Sequence, residues 1–101
     1  MKWPIIWSPQ ALDDIESALD YLLERSPQAA RRVHRDVMQH IEHLAEYPFS
    51  GRIGRVAGTR EWVIPKTPFI IPYRVHQEHL EIIRVFHTAR HWPEEFSSSK
   101  F

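Results

Sequence analysis

Residues 51–62, GRIGRVAGTREW, place Arg52, Arg55 and Arg60 within nine positions among three glycines. A guanidinium is a rigid, permanently charged fork that donates two parallel hydrogen bonds to a phosphate or a carboxylate. Gly51, Gly54 and Gly58 allow close approach of the backbone and positive φ, so this turn suits an anionic group or a protein surface. A plain loop with solvated arginines is the alternative that the residues themselves leave open.

A second candidate is HTARHW, residues 87–92, which brings His87, His91 and Arg90 together just past an apolar run. Ends of strands are where rigid scaffolds hold functional groups. His87 or His91 could act as general acid or base near neutral pH, with Arg90 neutralising a phosphorane-like transition state. Equally, Arg90 could pair with Glu94 four residues on, and Trp92 could cap a core. His40 and His43 lie three apart, and His87 and His91 four apart. Neither pair brings a third ligand at helical spacing, so solvated or packed histidines are expected, with no metal and no cofactor.

The charge pattern supports an anionic partner. Lys/Arg and Asp/Glu balance at 13 each, but residues 1–50 carry five basic against eight acidic and residues 51–101 carry eight against five. From Gly51 to Val75 the basic residues are Arg52, Arg55, Arg60, Lys66 and Arg74, against Glu61 alone. That is an electrostatic footprint, or else a solvated basic face.

At 101 residues the chain suits one domain spanning 1–101, and 43% hydrophobic with 26% charged residues is ordinary for a globular protein. There is no cysteine, so packing must hold the fold. The start, MKWPIIWSP, is too short in apolar length for a signal peptide or a membrane span, which points to the cytoplasm.

The elements that must position these groups follow from periodicity. WPIIWS (3–8) reads as a strand. SPQA occurs twice, at Ser8 and Ser26, each a capping hydroxyl followed by proline at the first helical position. Leu12, Ile15, Leu19, Leu22 and Leu23 form the apolar stripe of the first helix, and Ala30, Val33, Val37, Ile41 and Leu44 that of the second. The second helix should stop before Tyr47-Pro48. TREWVIP (59–65), FIIPYRV (69–75) and LEIIRVFH (80–87) read as strands of an antiparallel meander, with Pro72 implying a bulge or an edge. The expected class is α+β, a small antiparallel sheet with a helical hairpin on one face, in the order β-α-α-β-β-β.

The blocks WSPQALDDIESALDYLLERSPQAARR, GRxGRVxGTREWVIPxTPFIIPYRV and LEIIRVFHTARHWP resemble, across nearly the whole chain, the RelE/ParE superfamily of type II toxins. The resemblance implies a growth-arresting toxin neutralised by a cognate antitoxin through an extended segment, as a hetero-oligomer. It also offers two cellular targets. ParE-like members resemble DNA gyrase poisons, and RelE-like members resemble ribosome-dependent mRNA endonucleases. Arg90 falls where the nucleases place an arginine, but Ile70 stands where they place another, and Phe96 where a tyrosine is common. A phenyl ring lacks the hydroxyl for proton transfer. Overall neutrality also argues against RNA, whose affinity rests on many phosphate contacts. Gyrase inhibition is therefore the expectation, with Arg52, Arg55, Arg60, Arg74, His87, Arg90 and Trp92 meeting target or antitoxin. An mRNA endonuclease using His87, Arg90 and His91 is the alternative, and an inactive remnant that binds antitoxin and regulates its operon is the third.

Overall fold

The computed structural model describes residues 2–65 and 67–87. Expectations placed on Lys66, Arg90, His91, Trp92 and Phe96 lie outside the described residues.

Both helices start where their serines place them. The Ser8 hydroxyl accepts the Ala11 N–H at 3.0 Å to open α1 (Pro9–Arg25), and the Ser26 hydroxyl accepts the Ala29 N–H at 3.1 Å to open α2 (Pro27–Glu46). Each cap satisfies one of the donors that a helix start leaves unpaired. α2 ends at Glu46, before Tyr47-Pro48.

Among the described residues six strands form one sheet: β1 (Ile5–Trp7), β2 (Arg52–Ile53), β3 (Arg60–Val63), β4 (Phe69–His76), β5 (His79–Ile82) and β6 (Phe86–His87). Their order is β1-β5-β4-β3-β2, with β6 also paired to β4. The fold is α+β as expected, with three differences, of which the simplest is the short strand β2 within the stretch expected as a turn. β1 joins β5 in parallel, so the sheet is mixed; the two helices supply the long crossover that parallel pairing needs. The run expected as one strand over 80–87 divides into β5 and β6.

That division has a local cause. Residues 83–85 stand opposite only Ile71 and Pro72 of β4, because Tyr73 pairs with Ile82 and Ile70 with Phe86. The result is a bulge beside Pro72, with its extra residue in the neighbouring run and not, as expected, in the run that carries Pro72. The Pro72 carbonyl accepts from the Ile83 N–H at 3.0 Å, so the N–H that proline lacks falls on the same side, where the neighbouring strand breaks. α1 holds the break. The Ser8 hydroxyl donates to the Ile83 carbonyl at 2.6 Å, and the Asp14 carboxylate accepts the Val85 N–H at 2.9 Å.

The core lies between the hairpin and one face of the sheet. Ala11 and Ile15 of α1 and Val37, Ile41 and Leu44 of α2 meet Phe69, Ile71, Tyr73, Leu80 and Ile82. Truncating Leu44, which is fully buried, would cost about 2–5 kcal/mol on the usual cavity scale. The α1 stripe is only partly consumed: Leu12 and Leu23 are 49% and 50% exposed, because the packed face centres on Ala11 and Ile15.

Candidate functional site

Alternation along β3 sends Arg60 and Glu61 to opposite faces of the sheet, and this separates the arginines that the sequence gathers. Glu61 is 3% exposed and faces away from the helices. Its carboxylate accepts from Arg52 Nη2 at 3.1 Å, from the Arg55 backbone N–H at 3.0 Å and from Arg55 Nε at 3.3 Å. The two guanidinium groups remain 56% and 43% exposed. Burial by itself would raise the Glu61 pKa, but the bonds from Arg55 and Arg52 and their two charges outweigh it and hold the carboxyl below its ordinary 4.5. The cluster therefore keeps Glu61 ionised while presenting two oriented forks outward.

Arg60 works on the helix side. Its Nη1 donates to the carbonyls of Gly51 at 2.8 Å and Phe49 at 3.2 Å, with the guanidinium 5.2 Å from the Phe49 ring. Beside it the buried Tyr73 hydroxyl accepts the Gly51 N–H at 2.9 Å and donates to the Pro48 carbonyl at 2.8 Å. Burial pushes the phenol above its ordinary 10.0, against the Gly51 bond and the Arg60 charge, so it stays a donor. A Cβ on Gly51 would stand 2.5 Å from that oxygen, which is why glycine is required there. Gly58, at φ 78°, turns the loop back, and a Cβ there would come within 3.9 Å of Arg74 Nε. Arg74 lies opposite Glu81 on the same face as Glu61.

His87 is elsewhere. It pairs with Phe69 in register and meets that ring edge-on at 5.2 Å, so it shares the helix side with Phe69 and Tyr73, opposite to Glu61 and Arg74. There it borders a cleft of about 440 Å³ that also takes in Asp14, Tyr21, Arg32 and Arg84. Arg84 donates to Asp14 through Nε at 2.7 Å and Nη2 at 3.0 Å, a bidentate pair. The structure thus brings Arg52, Arg55 and Arg74 to one face and leaves Arg60 and His87 on the other.

His40 and His43 have a packing role. Trp62 Nε1 donates to His40 Nδ1 at 3.0 Å, and the His43 ring lies 5.2 Å from Trp62, so this pair clasps an indole. Sequence reasoning missed Glu61 and the Asp14–Arg84 pair. For Glu61 a signal existed: it is the single acid in a basic segment, one position past Arg60. For Asp14 there was none, since its partners lie 70 and 71 residues away.

The profile of the family described as "ParE toxin of type II toxin-antitoxin system, parDE" matches residues 5–92. Toxin Y4kP of Sinorhizobium fredii is 40% identical over 90 residues, covering 89% of this chain and 93% of that protein. Toxin RelE2 of Caulobacter vibrioides is 36% identical over 86 residues, covering 85% and 96%. A solved chain of the chromosomal ParDE system from P. aeruginosa superposes with a TM-score of 0.76 at 22% identity, over 85% of this chain and 96% of that one. The YoeB/ParE toxin from Agrobacterium tumefaciens gives 0.60 at 22%, over 88% and 99%; both likenesses speak to the fold. With its helical hairpin, mixed sheet and profile match over residues 5–92, this chain belongs to the RelE/ParE superfamily of toxins from type II toxin–antitoxin systems, a family that implies a cognate antitoxin as partner.

Proposed function

We propose that this chain is a ParE-like toxin that inhibits DNA gyrase through protein contacts in the cytoplasm and is silenced by its antitoxin. The observation that carries this is the Arg52–Glu61–Arg55 cluster. Its basic groups already hold a buried carboxylate, so the face presents oriented forks with reduced net charge, suited to carbonyls and carboxylates of a protein surface. A phosphate backbone favours uncompensated charge. The endonuclease alternative relies on His87, which lies on the other side of the sheet from this cluster. Arg52, Arg55 and Arg74 then meet a partner on the helix-free face, and Arg60 acts from beneath by holding the loop. None of them makes or breaks a bond.

The test uses the chain freed from its antitoxin and added to purified gyrase with relaxed plasmid and ATP. Loss of supercoiling, or trapped cleaved plasmid, is the expected result. Full supercoiling by gyrase, alongside cleavage of ribosome-bound mRNA by the same preparation, would replace gyrase with the ribosome and turn attention to His87. Harmlessness in cells together with tight antitoxin binding would favour the inactive remnant.

A further inference from the structure

On the side of the helical hairpin that carries no sheet residue, a groove of about 410 Å³ runs between the helices, lined by Leu19, Leu23, Ala30, Arg31 and His34. Leu23 is 50% exposed there and Leu12, on the same flank of α1, is 49% exposed, so the core does not use them. The two walls differ in charge. α1 contributes Glu16 and Asp20, and α2 contributes Arg31 and Arg35, all exposed.

Within the chain these charges do not meet. Among the described residues the side chains of Glu16, Asp20 and Arg31 form no hydrogen bond or ion pair, and Arg35 reaches only Asp36 of its own helix, at 3.7 Å. Their heights nevertheless correspond. Leu19 to Leu23 is one helical turn of α1 and Ala30 to His34 one turn of α2, side by side in the groove and antiparallel. Asp20 is therefore level with the stretch between Arg31 and Arg35.

A surface that is acidic on one wall, basic on the other and apolar along the seam is complementary to itself under two-fold rotation. An axis parallel to the helices lays α1 of one copy along α2 of its partner. Each Asp20 then falls between the opposing arginines while the exposed leucines leave water. We propose that the outer face of the α1–α2 hairpin docks a second copy of this chain, forming a two-fold, four-helix dimer. The 17 residues of α1 extend about 25 Å and two packed helices about 20 Å across, a footprint of about 500 Å² per copy. That is the low end of specific interfaces, the range of weak or transient association. None of these residues belongs to the arginine turn, so the dimer is independent of which target the toxin has.

Sedimentation equilibrium of the isolated full chain across the micromolar range tests this, with circular dichroism to verify that each variant folds. The parent should dimerise, and Asp20→Arg and Arg31→Glu should each weaken self-association about tenfold or more by setting like charges opposite one another. An equimolar mixture of the two variants should recover the parent's affinity, because every contact then pairs opposite charges again. Glu16→Arg and Arg35→Glu provide a second pair if either variant misfolds. A parent that stays monomeric, variants that associate as well as the parent, or a mixture no tighter than its components would each overturn the proposal.

Discussion

Two arginine–carboxylate clusters secure the loops of this toxin, and they are built inversely. At the strand break the acid is Asp14 of α1, and both it and Arg84 are largely covered, at 17% and 19% exposure. The pair is bidentate and the same carboxylate takes the Val85 N–H, so its bonding capacity is turned inward. At the arginine turn the acid alone is buried and its guanidinium partners lie half in water. One cluster closes a seam between helix and sheet; the other leaves its guanidinium groups oriented toward solvent. On the proposed function, the same ion pair serves stability when both ends are covered and recognition when only the acid is.

This contrast can be broken from either side. The largest effect is expected for Asp14→Ala, which leaves a covered guanidinium and the Val85 N–H without their acceptor. Unfolding stability should fall by about 3 kcal/mol, read from urea midpoints. A loss below about 1 kcal/mol would show that water replaces the carboxylate and that the clasp is no more internal than the turn.

Tyr73→Phe should cost about 2 kcal/mol, since both the Gly51 N–H and the Pro48 carbonyl lose their shared hydroxyl. Hydrogen exchange should quicken first at Gly51. Uniform loss across the sheet would mean instead that the ring, not the hydroxyl, anchors the turn.

Glu61→Gln should cost about 1.5 kcal/mol at pH 7, and this difference should shrink in acid. The sign follows from the lowered folded-state pKa: ionised Glu61 stabilises the fold fully above its unfolded value near 4.5 and loses that contribution as pH falls through the lower folded value. Parallel stability curves for parent and variant down to pH 3 would remove Glu61 as the buried partner of the arginines.

The smallest structural effect belongs to Arg52→Ala. With its side chain more than half exposed, thermal stability should change by less than about 1 kcal/mol. Antitoxin affinity, measured by calorimetry, should nevertheless fall by about tenfold or more if Arg52 is an interface anchor. Unchanged affinity would leave the turn as structure only and erase the functional side of the comparison.

How much of this was legible beforehand depends on distance along the chain. Helix starts at Pro9 and Pro27 were readable because capping is settled within three residues. A bulge near Pro72 was readable because a missing N–H must be accommodated somewhere nearby, but not that the neighbouring strand would carry it. The parallel placement of β1 was not, since Ile5 and Leu80 share no local signal. Leu12 and Leu23 were assigned to the core by spacing, although spacing cannot tell how many flanks of a helix its neighbours cover.

The family and the arginine turn were determined by the sequence alone, because motif order and residue type are one-dimensional properties. Only the tertiary structure decided which arginines act together. Strand alternation set Arg60 and Glu61 on opposite faces, and a buried carboxylate then recruited Arg52 and Arg55 while His87 was carried to the helix side. Those partnerships depend on register between strands, which burial of one face of the sheet specifies.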